Sequence, residues 1–188
     1  MPTARSAAET FNRFAETTAA PSRCDPMLAF ETPELAHALL LWQEKAGAHG
    51  MPSRRDLGAR ALKAVLPNVV IVDAVGDGPT RRYRFRLEGT ALTELLGDHT
   101  GKFFDEAVVS PFRERWSAMM DATLDGGAPL RFFGRIEYDT QDYLSMELLL
   151  APLSDEGAQA VLLVGYARSS APEMFRPLIK NTVTAQPG

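Results

Sequence analysis

The side chains able to do chemistry in this chain are few and widely spaced. Three histidines stand at His37, His49 and His99. No two have the separation that presents two imidazoles to one metal, and Cys24, the single cysteine, partners none of them. One cysteine also excludes a thiolate cluster and an intramolecular disulfide. Gly89-Thr90 and Gly101-Lys102 could turn backbone N–H groups toward an anion. The glycine spacing of a phosphate loop is missing, however. The simpler reading is a pair of corners, with glycines taking angles that other residues resist and Thr90 and Thr100 capping. There is no Gly-x-Ser-x-Gly elbow, and Ser53, Ser110, Ser117 and Ser145 lack a patterned partner. Asp139, Asp142 and Glu147 gather around a strand turn, where aspartate is common for conformational reasons. No catalytic residue and no metal ligand is predicted. A small-molecule enzyme is the alternative reading.

The side chains best suited to a ligand are apolar. Trp116, Met119 and Met120 share one face of a helical segment, and Phe103 and Phe104 lie just before it. Tyr83, Phe85 and Leu87, with Leu130, Phe132 and Ile136, alternate along strand segments that would face them. Together they would either enclose a small apolar ligand or close into a solid core. A second apolar face carries Leu35, Leu39 and Trp42 at helical spacing. It would pack on its own sheet or form an interface with a second copy.

These residues need elements to hold them. Thr32 and Pro33 open a helix that Gly47 ends. Val69 to Val75 is a β-branched strand. After the Gly76–Pro79 turn, Tyr83, Phe85 and Leu87 alternate with Arg82, Arg84, Arg86 and Glu88 in a second strand, whose arginines could meet partner carboxylates or simply face solvent. A short helical pattern follows over Thr90 to Leu96. Ser110 and Pro111 open a longer helix that Gly126-Gly127 close. Leu130–Tyr138, Tyr143–Leu150 and Ala160–Ala167 are three more strands. Strands divided two and three by a helical insert predict an α+β domain: a five-stranded antiparallel sheet with helices on one face. The domain is placed at 30–170, with a flexible N-terminal tail over 1–29 and a C-terminal tail over 171–188.

The chain has 188 residues, 45% hydrophobic and 23% charged, enough for one core. Its net charge of -4 argues against nucleic acid as a partner. No apolar run has membrane-spanning length, and the N-terminus lacks the apolar stretch of a secretory signal. A cytoplasmic protein with no membrane partner is expected.

Several motifs agree in order as well as type. Trp42 on the leading helix precedes Pro52-Ser53-Arg54. Tyr83-Arg84-Phe85-Arg86 runs into Gly89-Thr90, and a corner spans Gly97 to Gly101. Together they resemble the single-PAS family common in alphaproteobacteria, over roughly Leu35 to Arg168. Gly58-Ala59-Arg60 and His99 depart from that family's pattern. The resemblance implies a PAS fold with an N-terminal flanking helix. It implies a bacterial sensory or regulatory module that binds a small ligand, pairs as a homodimer, or contacts a signalling kinase. A haem-binding member would need a ligand on the Pro111–Leu124 helix, which has neither His nor Cys; Met119 and Met120 read as core. The flavin photoreceptor version needs a cysteine in the helical insert, and Cys24 lies elsewhere. No cofactor is expected.

Overall fold

The computed structural model of the chain describes residues 2–47, 50–108, 110, 112–138, 142–155 and 158–169. His49, Pro111, Asp139 and the 171–188 segment lie outside the described residues, as does the side chain of Ile136. The elements are α1 (Ala4–Thr17), β1 (Ser22–Asp25), α2 (Pro33–Ala46), β2 (Val69–Val75), β3 (Arg82–Glu88), α3 (Thr90–Leu96), α4 (Phe104–Ala107), α5 (Phe112–Gly126), β4 (Leu130–Tyr138), β5 (Asp142–Asp155) and β6 (Ala158–Ser169). The strands form one antiparallel sheet in the order β1-β4-β5-β6-β2-β3. The α+β class therefore stands, with a sixth strand in place of the expected five.

That strand and the helix before it correct the expectation of a tail over 1–29. Thr3 and Ser6 exchange capping hydrogen bonds at the start of α1. Ala7, Ala8, Phe11 and Ala15 then line one buried stripe. Phe11 is 2% exposed and meets the Phe132 ring edge-on, centroids 5.0 Å apart. Burying one such side chain stabilises by about 1.5–3 kcal/mol, which adds to the high helix propensity of the surrounding alanines. β1 then adds to the free edge of β4, Ser22 opposite Gly134. A Cβ on Gly134 would stand 2.0 Å from the Pro21 carbonyl oxygen, so only glycine admits this crossing.

The sheet is buried on both faces. Val70, Val72, Met146, Leu148, Leu150 and Phe132 join α1, α4 and α5 in one cluster. The alternate residues Val69, Ile71, Leu149, Leu153, Leu162 and Val164 pack with α2 and with Leu57, Leu62 and Val65. The flanking helix α2 thus lies on the face opposite the other packed helices. Its Leu35 is 0% exposed, and the Trp42 indole N–H donates to the Pro152 carbonyl at 2.9 Å. The Pro52-Ser53-Arg54 connector hydrogen-bonds along the end of β5 through Ser154. Asp56 clasps it by accepting from the Ser53 hydroxyl at 2.6 Å and the Ser53 N–H at 3.0 Å.

Candidate functional site

β3 and the corner after α3 set the first half of the site. Tyr83 and Phe85 point into the α5 side of the sheet. Leu87 does not, although strict alternation would put it there: it packs with the α2 cluster. The register supplies the reason. Ile71 pairs with Leu87 and Val72 with Phe85, leaving Arg86 as the extra residue of a bulge that reverses the facing. The 97–103 corner folds back onto β3. The Phe85 N–H donates to the Lys102 carbonyl at 3.0 Å, and the Gly101 N–H to the Phe85 carbonyl at 2.8 Å. Gly101 holds φ at 85°, a left-handed value suited to glycine. Gly89 has another reason to be glycine: a Cβ there would meet the Leu66 carbonyl oxygen at 2.1 Å. These two corners therefore use glycine for backbone geometry.

His99 also finds its place here. Its N–H donates to a Glu88 carboxylate oxygen at 2.7 Å, and its Nδ1 lies 3.5 Å from the other. The Glu88 side chain is only 1% exposed, and the imidazole lies 5.6 Å from the Phe85 ring. The residue that breaks the family pattern seats the corner on the strand.

The structure gathers most of the sequence-selected pocket residues, but packs them against one another. Tyr83, Phe85, Phe104, Met119, Met120 and Phe132 belong to one buried cluster, with Trp116 half-buried against it. Phe104 meets Phe85 at 5.4 Å, and Phe11 fills the space beside Phe132. Phe103 is not part of it; its ring lies beneath the Arg82 guanidinium at 3.8 Å. Among the interface candidates, Leu35 and Trp42 are buried against the chain's own sheet, and Leu39 is partly so. The neighbouring Leu40 is the exposed one, at 64%.

Polar side chains lock this arrangement. The Tyr83 hydroxyl donates to Asp121 at 2.6 Å, and Arg81 donates to Asp121 and Asp125 at 2.9 and 3.0 Å, tying β3 to α5. Burial and the neighbouring Asp121 carboxylate push the Tyr83 phenol well above its ordinary range. Arg82 pairs with Asp105 and Glu106, and Arg84 with Asp73. These strand arginines therefore meet carboxylates of their own chain.

A cleft of about 260 Å³ opens on the other face of the sheet, beside the start of α2. Its walls include Arg131, Phe133, Glu147, Ser145, Tyr166 and Thr32. Glu147 organises it. Its carboxylate accepts from the Arg131 Nε at 2.5 Å and from the backbone N–H groups of Glu31 and Thr32 at 2.9 and 2.7 Å. The last two donors immediately precede α2, so a strand carboxylate fixes the chain's entry into the helix, while the Thr32 side chain makes no cap hydrogen bond. Burial raises the Glu147 pKa, but the donors from Thr32, Glu31 and Arg131 outweigh it and hold the group below its ordinary value. Arg131 also reaches Asp25 at 3.4 Å and stacks over Phe133 at 4.5 Å. In the sequence Glu147 reads as part of a turn cluster and Arg131 carries no motif. Their meeting is set by the β4–β5 register, and the one local signal is a glutamate flanked by Met146 and Leu148 in the apolar part of β5.

Cys24 is buried, and burial together with the Asp25 charge pushes its thiol up to about 12. Among the described residues no group of three or more His, Cys, Asp or Glu is placed to hold a metal ion. No described helix is long and apolar enough to cross a membrane.

Comparison with known proteins agrees with the element order. A search of curated proteins finds no match. A family model described as a PAS domain matches residues 31–167, spanning α2 through nearly all of β6 and leaving α1 and β1 outside. The chain belongs to the PAS domain family.

Proposed function

We propose that the protein is a single-PAS regulatory module of bacterial signalling that acts through contact with another protein, and not by catalysis. Membership of the PAS family supports a sensory or interaction module in general. The observation that carries the finer reading is the closed interior. The aromatic and Met residues between sheet and helices touch one another, and Phe11 completes their packing. Such a core transmits strain and offers a shaped exterior, which suits a docking module better than a ligand carrier. The reactive groups support the non-catalytic half. The Glu147 carboxylate already accepts from Arg131 and two backbone donors, leaving it poorly placed to take a proton from a substrate. The Cys24 thiol is buried and protonated at neutral pH.

A signalling kinase is the partner this reading favours, and the cytoplasm is its setting. The α2-side cleft favours a second reading, a small ligand bound on the outer face. One experiment separates the two. Native mass spectrometry of the freshly purified protein should give polypeptide masses alone. Added purified signalling kinase of the same cell should give a higher-mass complex. A small molecule retained at one equivalent, with no kinase complex formed, would overturn the docking reading in favour of the ligand reading.

A further inference from the structure

Arg131 is a buried cation whose guanidinium is only partly satisfied. Its Nε donates to Glu147, and its Nη1 to Asp25 at 3.4 Å. Among the described residues its Nη2 faces one carboxylate, that of Glu31, at 3.6 Å, beyond hydrogen-bond reach. The two side chains differ in kind: Arg131 is 9% exposed and Glu31 is 81% exposed. Ordering a long surface side chain costs about as much as such a contact returns, so Glu31 is a loosely held cover. Glu147 cannot take its place, because its oxygens already accept from Arg131 and from the Glu31 and Thr32 N–H groups. Those bonds instead fix the guanidinium in position before anything else binds it.

Arg131 forms a wall of the α2-side cleft together with Phe133 and Tyr166. The guanidinium carbon lies 4.5 Å from the centre of the Phe133 ring. Arg135 stands two residues beyond Phe133 on the same face of β4 and adds a second cation to the wall. The cleft holds about 260 Å³. An apolar cavity of roughly 150 Å³ takes benzene, so this one has room for a ring and an acid group.

We propose that the cleft binds a small aromatic carboxylate, whose acid group replaces Glu31 on the Arg131 Nη2 and whose ring lies against Phe133 and Tyr166. The guanidinium edge selects the acid, since its charge-assisted hydrogen bonds are strongest to a carboxylate. The aromatic walls select the ring. Residue 31 directly precedes the Thr32 cap of α2, so a ligand there also changes the charge presented at the entry to that helix. The proposal rests on the small-ligand reading of the cleft, and kinase docking on another surface is compatible with it.

The test is a titration of isotope-labelled protein with sodium benzoate, followed through the backbone amide resonances, with benzamide as the uncharged counterpart. Benzoate is expected to shift the amides of Arg131, Phe133, Glu147 and Tyr166, and benzamide to bind about tenfold more weakly or less. Arg131 itself is left intact, because its loss would leave Glu147 buried without a counter-charge. Glu31→Gln removes the competing carboxylate while keeping the backbone N–H that Glu147 accepts, and should tighten benzoate binding by about threefold. Benzamide shifting the same amides as strongly as benzoate would keep a ligand cleft and overturn the carboxylate assignment. No shift there from either compound would remove the ligand reading with it. Unchanged or weaker benzoate binding by Glu31→Gln would overturn the displacement of Glu31.

Discussion

Glu147 joins three elements through one carboxylate. It neutralises Arg131 on β4 and accepts from the Glu31 and Thr32 N–H groups just before α2. Glu147→Gln keeps the volume but leaves the guanidinium of a buried pair without its main counter-charge. The expected cost is about 3 kcal/mol, read as a lower urea midpoint at unchanged slope. The same site sets an acid limb. Its pKa is lowered on folding, so the stabilisation is complete above about pH 4.5, the ordinary glutamate value, and is lost as pH falls through the lower folded value. Glu147→Gln should flatten stability against pH below that point, and equal acid limbs in the two proteins would discount the pair. Tyr83→Phe is a milder case. It deletes the hydrogen bond to Asp121, which keeps Arg81, and should cost about 1 kcal/mol in the same urea titration.

At the scale of elements, the readable parts were those whose own pattern decided their state. The β-branched run of β2, the alternation of β4 and the Thr-Pro start of α2 each name their structure locally, and each stands where it was expected. The outer strands were harder because their meaning is non-local. Arg86 is bulged out, and Leu87 is turned to the α2 face, by pairing with β2 that period-two counting does not contain. The N-terminal arm, α1 with β1, was missed because its stripe is mostly alanine, with Phe11 its single large buried residue. The complementary signal, Gly134 in mid-strand, lies far away in sequence. Gly134→Ala tests that assignment. A methyl group at 2.0 Å from the Pro21 oxygen cannot be accommodated without lifting β1 from β4. Amide exchange at Ser22–Asp25 should accelerate toward unprotected rates while β2, β6 and α2 keep their protection. Slow exchange in β1 of the variant would mean that the strand pairing does not depend on the glycine notch.

For the molecule as a whole, one helix outside the PAS-matched residues decides whether the interior is a core or a pocket. Met119, Met120, Phe132 and Leu130 lie between sheet and α5, and Phe11 is the side chain that α1 contributes among them. The sequence marks the Met and aromatic group but not the Phe11 that meets it, because that meeting depends on a chain reversal through residues 18–32 with left-handed residues at Ala19 and Leu28. Phe11→Ala turns the question into a measurement. Truncation should cost about 3–5 kcal/mol, since the flanking α5 and β4 are held by their own contacts and collapse only partly. The space left would be lined by apolar side chains and stay dry, so it should accept a ring the size of the one removed. In a thermal-shift titration benzene is expected to raise the melting temperature of Phe11→Ala and to leave the wild type unchanged. Equal stabilisation of both proteins would show that a cavity exists with Phe11 in place, and would return the interior to the status of a ligand site. Stabilisation of the variant alone would establish that α1 holds the PAS interior closed, and that any step displacing the arm also opens a pocket.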